Sequence, residues 1–290
     1  EQANARSIVG ELKRAIAQAG GDLVDLGGSG RTDAGVHALA QTAHMRLRAP
    51  IDAASFRWAI NSALPADIHV LSIRAASDAF HSRHSAVSRS YLYQICRRRT
   101  ALSKRHVWWI RDRLDLGRMA AGAALLPGSH DFVQFCERPA EQSSTRVVVD
   151  SAEIVEAGAL VVIRLTASHF LWKMVRRVVG TLARVGTGEL DIDGLRILLE
   201  GRPLPGAEEG TARWTAPASG LFLERVLYPG EAHTQKPALP VCVPAEPSER
   251  ADLFTGEPHA AAAAPRTPSP RGAKRSPPRH PKRGRRGRQS

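Results

Sequence analysis

The sequence predicts an α+β fold in which helices and antiparallel strands occur in two successive rounds. Apolar residues recur at helical spacing in several segments, and segments of strand-like alternation lie between them. The apolar fraction of 43% is sufficient for a hydrophobic core. Because the second round repeats the order of elements without repeating the sequence, we predict two halves of similar architecture.

The first round occupies residues 1–97. Ser7 fits the N-cap of a helix that ends at Gly20-Gly21, and a glycine-rich turn follows at 27–35. The remaining predicted elements are a strand over Val36 to Leu47, a helix over Ala53 to Ala63 before Pro65, and strands over Ile68 to Ile73 and Arg89 to Cys96.

The second round occupies residues 98–230. Its predicted elements are a helix over Leu116 to Leu126, strands over Val147 to Val155 and Leu160 to Thr166, a long helix containing Arg176, a helix over Ile192 to Leu199 and a strand over Leu221 to Leu227.

A basic tail follows the two rounds over residues 231–290. Of the 41 lysines and arginines in the chain, 10 lie in residues 261–290, where there is no acidic residue. The net charge of +13 therefore comes mainly from this segment, and the body carries a balance of only +3. Proline, alanine and arginine dominate the tail, so we predict disorder. A basic arm that contacts phosphates nonspecifically and a solvated tail without a defined role remain alternatives.

Composition excludes several classes of protein. No apolar run approaches the roughly 20 residues that a membrane helix requires, and no signal sequence opens the chain. Cys96, Cys136 and Cys242 lie far apart, so neither a disulfide framework nor a cysteine zinc site is indicated. These features favour a cytoplasmic protein that does not bind membranes.

The glycine-rich turn carries the most informative motif, Gly30-Arg31-Thr32-Asp33-Ala34-Gly35-Val36-His37-Ala38. In an arbitrary loop, Asp33 would be expected only to bond its own backbone. Here the whole string resembles the active-site motif of the tRNA pseudouridine synthase A family. A nucleotide-binding loop is a poorer match, since Asp33 stands where the third glycine of G-x-G-x-x-G would be.

Further motifs extend the resemblance from residue 1 to about Pro229. They are Phe80-His81-Ser82-Arg83 with Arg89-Ser90-Tyr91, Gly128-Ser129-His130-Asp131-Phe132, Thr145-Arg146, Phe170-Leu171-Trp172-Lys173-Met174-Val175-Arg176 with Gly180-Thr181-Leu182, and Pro217-Ala218-Ser219-Gly220-Leu221. Trp172-Lys173 and Gly28-Ser29 depart modestly from the family's pattern. We expect neither departure to touch the residues assigned to chemistry.

The resemblance implies a cofactor-independent isomerase that converts uridines of the tRNA anticodon stem-loop, at tRNA positions 38, 39 and 40, to pseudouridine. The N1–C1′ bond breaks, the base turns, and C5 joins C1′. It further implies two ferredoxin-like halves with a continuous antiparallel sheet, a central cleft with Asp33 at its floor, and a homodimer in which one tRNA touches both subunits. Members of the family have a strand before the first helix, so we expect one strand to be missing from this sheet.

The same resemblance implies the roles of the site residues. Asp33 is the catalytic carboxylate, either as nucleophile at C1′ or as base at C2′, and Arg176 is the cation that keeps it ionised. Periodicity alone does not distinguish Arg176 from Arg177, because both flank the apolar stripe of their helix. Tyr91 is implied to stack on the target base, although Tyr93 shares its strand face.

The remaining implied contacts are with RNA. Arg31 would fill the space left by the flipped nucleotide and hold its phosphate. His81 and Arg83 would bind substrate. From the residues alone, His81 and His84 are either RNA-facing or structural, because they lack the acidic or cysteine partners of a metal site. Two other functions stay open at this point. One is an RNA-binding protein or chaperone without catalysis on the same scaffold, and the other is a nucleotide-dependent enzyme that uses the glycine-rich loop.

Overall fold

Capping side chains define where most of the helices begin. The structure, a computed structural model, describes residues 6–137, 144–205, 210–231, 236–241 and 243. Its helices are α1 (Ile8–Gln18), α2 (Ala53–Ala63), α3 (Leu116–Ala123), α4 (Met174–Thr187) and α5 (Ile192–Leu199). Four N-cap side chains accept a hydrogen bond from the backbone N–H three residues later: Ser7, Asp52, Asp115 and Asp191. The helices predicted over Ala53 to Ala63 and Ile192 to Leu199 are confirmed.

Nine strands form two sheets in the described residues. They are β1 (Leu23–Gly28), β2 (His37–Ala38), β3 (Ala43–Leu47), β4 (Ser88–Cys96), β5 (Trp108–Trp109), β6 (Gly128–Asp131), β7 (Arg146–Ala157), β8 (Leu160–Ala167) and β9 (Leu221–Leu227). β1 pairs with β3, and the larger sheet has the order β2-β9-β4-β8-β7-β6, with β5 alongside β4. Mixed helices and strands confirm the α+β class.

The larger sheet differs from the expected continuous antiparallel sheet. β2 runs parallel to β9, and β5 runs parallel to β4, so this sheet is mixed. Within the part of the chain that is described, no strand joins the β1–β3 pair to it. β4 pairs antiparallel with both β8 and β9, so the larger sheet crosses the predicted boundary between residues 97 and 98.

The strand predicted over Val36 to Leu47 is wrong as one element. β2 pairs with β9, whereas β3 pairs with β1 in the other sheet. The chain must therefore bend between Ala38 and Ala43, and a backbone hydrogen bond from Leu39 N to Leu223 O of 2.9 Å fixes the point where it leaves β9. β1 was not predicted, and its last two residues, Gly27 and Gly28, are the first two of the predicted glycine-rich turn.

The strand predicted over Ile68 to Ile73 is also absent from the structure, which has no assigned strand there. The Asn61 side chain takes the place of a neighbouring strand. Its Nδ2 donates to Val70 O at 2.9 Å, and its Oδ1 accepts from Val70 N at 2.7 Å. Val70 and Ile73 still pack against the apolar cluster of α1 and α2, so the alternation reflects burial without strand pairing.

Three apolar clusters hold these layers together. The largest lies between one face of the larger sheet and α3, α4 and α5, and includes Tyr93, Ile163 and Leu182. The opposite face of the sheet carries a second cluster, to which Val243 of the predicted tail contributes. The third lies between α1, α2 and the β1–β3 pair. Apart from residues 231, 236–241 and 243, the predicted tail falls outside the described residues. None of the described helices has the length and apolarity to span a membrane.

Candidate active site

The loop that carries Asp33 connects the two sheets. It leaves β1 at Gly28 and enters β2 at His37. Gly35 has a φ of +80°, a left-handed conformation that suits glycine, and Val36 N donates to Asp33 O at 3.1 Å. This tight turn presents the Asp33 side chain, which is 35% exposed, toward helix α4.

Arg176 of α4 meets the Asp33 carboxylate. Its Nη1 lies 3.4 Å from Asp33 Oδ2, and its Nε donates to Ala216 O at 2.7 Å. The guanidinium is therefore oriented by a backbone carbonyl as well as by the carboxylate. Arg177 points elsewhere, to Glu137 at 3.6 Å and to the Cys136 carbonyl. The structure thus separates the two arginines that helical periodicity leaves equivalent.

Trp172 also contacts the carboxylate, which the sequence did not predict. Its Nε1 donates to Asp33 Oδ1 at 3.2 Å. The expectation that Trp172-Lys173 would not touch the chemistry residues is therefore wrong. Helical periodicity gives no signal for this contact, because Trp172 lies before the first residue of α4 and Lys173 between them has a φ of 62°. Asp33 consequently receives one donor on each carboxylate oxygen.

Tyr91 and Tyr93 occupy different environments although they share a face of β4. Tyr93 is fully buried, and its hydroxyl donates to Pro217 O at 2.8 Å. Tyr91 is partly exposed and lies edge-on to Phe170, with ring centroids 5.0 Å apart. Burial raises the pKa of Tyr91 to about 12; Arg89 opposes this shift and the negative charge of Asp33 adds to it. Tyr91 therefore belongs to the electrostatic surroundings of Asp33, whereas Tyr93 is a core residue.

All three tyrosines of the chain should resist ionisation in the folded protein. The pKa values of Tyr91, Tyr93 and Tyr228 are each raised, chiefly by burial. We expect little tyrosinate absorbance at pH 10, where an unperturbed tyrosine is about half ionised. The unfolded chain ionises first, so this contribution to stability is complete below about pH 10 and is lost progressively as the pH rises toward 12. Half-ionisation of the native protein at pH 10 would contradict the described burial.

His81 belongs to a histidine cluster rather than to the Asp33 contacts. Its ring lies 4.4 Å from that of His44 and 4.3 Å from that of His84, measured between centroids. Burial, then the neighbouring histidines, lower the pKa of His81 below its usual value. His81 Nδ1 accepts from Arg83 N at 3.1 Å, which ties the two predicted RNA contacts together.

Ser82 links the histidine cluster to the strand that leads into the Asp33 loop, since its hydroxyl lies 2.8 Å from His44 Nδ1. Ser82 Oγ donates at 3.0 Å to the carbonyl of Gly27, which lies at the end of β1. Arg31 and Arg83 are both exposed. In the residues that the structure covers, no group of three or more His, Cys, Asp or Glu side chains is placed to hold a metal ion.

The arrangement around Asp33 suits chemistry by a carboxylate. An ionised carboxylate accepts hydrogen bonds through both oxygens, and here a guanidinium and an indole supply one each. Because Asp33 is partly exposed, a substrate can reach it, and the Trp172 indole lies beside it. Arg176 and Trp172 can therefore orient the Asp33 carboxylate, which can act as a nucleophile or as a base.

Comparisons with known proteins show which family the chain is similar to. A family model described as tRNA pseudouridine synthase matches residues 123–229. The tRNA pseudouridine synthase A of Mesorhizobium japonicum is 40% identical over 233 residues, which cover 79% of this chain and 92% of that protein. The proteins of the same name from Roseiflexus sp. and Agrobacterium fabrum are 38% and 36% identical, over 82% and 79% of this chain and 89% and 86% of theirs.

Proposed function

Because the chain belongs to the tRNA pseudouridine synthase A family and is therefore an isomerase that converts uridine to pseudouridine in tRNA, we propose that it acts on the anticodon stem-loop with Asp33 as its catalytic carboxylate. One observation carries this proposal: Asp33 and Arg176 are separated by 143 residues in sequence, yet they meet at 3.4 Å with the carboxylate partly exposed. If the Asp33 side chain only formed hydrogen bonds within its own turn, it would not need Arg176 as a partner.

The proposed reaction is a rearrangement within one nucleoside. The N1–C1′ bond breaks, the base rotates, a C5–C1′ bond forms, and the proton from C5 is lost while N1 gains one. Atoms and electrons balance without an oxidant, a reductant or a donated group. Asp33 attacks C1′ or removes the proton from C2′, and in either role it acts as an ionised carboxylate.

The residues around Asp33 supply the other proposed roles. Tyr91, within the electrostatic influence of Asp33 and in edge-on contact with Phe170, would stack on the target base. Arg31, exposed on the same loop as Asp33, would occupy the space that the flipped nucleotide vacates. His81 and Arg83 would contact the RNA at the end of β1, a placement supported by the hydrogen bond between Ser82 and Gly27.

Release of tritium from tRNA labelled at uridine C5 tests the proposed function. The proton at C5 leaves only if the C5–C1′ bond forms, so release reports the completed rearrangement rather than binding. We expect release under single-turnover conditions with a tRNA whose anticodon stem-loop contains uridine. Binding without release would favour the RNA-binding alternative, and saturable ATP or NAD binding would favour the nucleotide-dependent one.

We also propose that the protein works as a cytoplasmic homodimer. The support for the dimer is the family's architecture, in which one tRNA touches both subunits. The body's balance of +3 implies that phosphate contacts come from local clusters of basic residues rather than from a uniformly positive surface. Light scattering of the full chain, with and without tRNA, measures the stoichiometry.

Deleting residues 261–290 tests the proposed contact between the tail and RNA. The deletion removes 10 basic residues, and the slope of log affinity against log salt falls by about 0.7 to 0.9 for every phosphate that is no longer neutralised. We therefore expect a flatter salt dependence of tRNA binding with turnover close to that of the full chain. An unchanged slope would show that the tail makes no phosphate contact, and a large loss of turnover with unchanged binding would assign it another role.

A further inference from the structure

Trp172 completes the coordination of the Asp33 carboxylate. Its indole Nε1 lies 3.2 Å from Oδ1, while Arg176 lies 3.4 Å from Oδ2. A carboxylate held at one oxygen can still rotate about its Cβ–Cγ bond. Donors at both oxygens fix the plane of the group. The indole is therefore placed to decide where Asp33 points, although it is itself 47% exposed and contributes little to the core.

The indole is in turn held by its neighbours. Trp172 O accepts from Glu137 N at 3.0 Å, and the Lys173 ammonium lies 4.9 Å above the indole ring. Lys173 also pairs with the Glu137 carboxylate, and Arg177 approaches the same carboxylate at 3.6 Å. Lys173 thus contacts the indole, and Glu137 binds both the Lys173 ammonium and the Trp172 backbone.

The backbone at Lys173 adds an independent observation. Lys173 has a φ of 62°, and among the described residues it alone has a positive φ without being a glycine. Residues other than glycine rarely adopt this conformation. It persists where the surrounding contacts impose it, often at functional sites. Here it turns the chain immediately before α4, so that the indole and the Arg176 guanidinium reach the same carboxylate.

We infer that Trp172 is a positioning residue for Asp33, with Lys173 and Glu137 holding the indole in place. This inference rests on the proposed function, because it concerns how the catalytic carboxylate is aimed at the ribose. A packing role for Trp172 is the competing explanation. It would require the ring and not the N–H group, and it would not depend on the presence of the Asp33 carboxylate.

A conservative replacement separates the two explanations. Trp172→Phe keeps an aromatic ring but removes the donor. Because a hydrogen bond to a charged group is lost, we expect the single-turnover rate to fall about tenfold to a hundredfold, with the tRNA dissociation constant within about threefold. Trp58→Phe is the matched control, since Trp58 is 72% exposed on α2, and its rate should equal that of the unaltered protein. A Trp172→Phe rate equal to that of this control would overturn the inference.

A spectroscopic measurement tests the same contact without relying on activity. The chain has five tryptophans, and the ¹⁵N–¹H indole resonance that disappears in Trp172→Phe is that of Trp172. We expect this resonance to shift in Asp33→Ala, while the resonance of Trp58 stays in place. A stationary Trp172 resonance would overturn the inference even if the Trp172→Phe rate fell. Activity retained in Asp33→Asn would instead reject the proposed function, so the two failures are distinguishable.

Discussion

Asp33→Asn is expected to lower the single-turnover rate of pseudouridine formation by about a thousandfold or more. Asparagine preserves the size of the side chain and one acceptor oxygen, so a hydrogen bond from Trp172 or Arg176 remains available to it. It carries no negative charge and acts neither as the nucleophile nor as the base, which removes the reacting group itself. Tritium release from labelled tRNA measures the rate.

Binding should be largely preserved in this variant. Phosphate contacts supply most of the affinity of proteins for nucleic acids, and an uncharged Asp33 removes none of them. We expect a tRNA dissociation constant within several-fold of that of the unaltered protein. Asp25→Asn is a matched control, because Asp25 lies in β1, is 62% exposed and pairs with His44 rather than with α4. An active Asp33→Asn protein would refute the assignment of the catalytic carboxylate.

Gly180→Ala is expected to destabilise the fold by about 3 kcal/mol or more, at the upper end of the cost of overpacking a core. A Cβ at Gly180 would lie 1.6 Å from Trp214 O and 2.7 Å from Trp214 C, which are backbone atoms. The neighbouring segment has little freedom to retreat, since Ala216 N donates to Arg176 O at 3.1 Å and Ala216 O accepts from Arg176 Nε. Relief of the clash would therefore displace the arginine that meets Asp33, and activity should fall with stability.

The direction of the stability change in Gly180→Ala distinguishes packing from helix propensity. An alanine in a helix is ordinarily more stable than a glycine by about 1 kcal/mol, so a loss reports the packing of α4 against residues 210–216. The midpoint of urea unfolding measures it. Gly117→Ala is the control, because Gly117 is exposed in α3 and its Cβ would meet only the side chain of Asp115, at 3.2 Å. Equal midpoints for the two variants would contradict the described packing.

Local patterns were sufficient to predict the elements that pack within the larger cluster. Helix α5 and strand β9 have the predicted bounds. The apolar spacing of α5 corresponds to one buried face, whereas β9 is a short apolar run that is buried on both faces. The segment Ile68 to Ile73 also has the apolar pattern of a strand, yet its backbone groups are satisfied in part by Asn61. Nothing local reveals such a partner.

Long-range pairing accounts for the other differences. The split of Val36 to Leu47 between two sheets depends on β9, more than 170 residues later in the chain. Likewise, the motifs predict Asp33, Tyr91 and Arg176 as site residues, but periodicity could not separate Tyr91 from Tyr93, whereas the burial of the two side chains differs. Trp172 was missed because its approach to Asp33 depends on the positive φ of Lys173, which side-chain pattern does not encode.

The loop at Asp33 is a covalent bridge between β1, which pairs only with β3 in the described chain, and β2, which pairs with β9. We therefore expect strain introduced into either sheet to reach the proposed catalytic carboxylate through the backbone. We expect a volume change among the buried residues Ile16, Phe56 and Ile60 to alter the reaction by this route. For this molecule, distance from the substrate is a poor measure of a substitution's influence on catalysis.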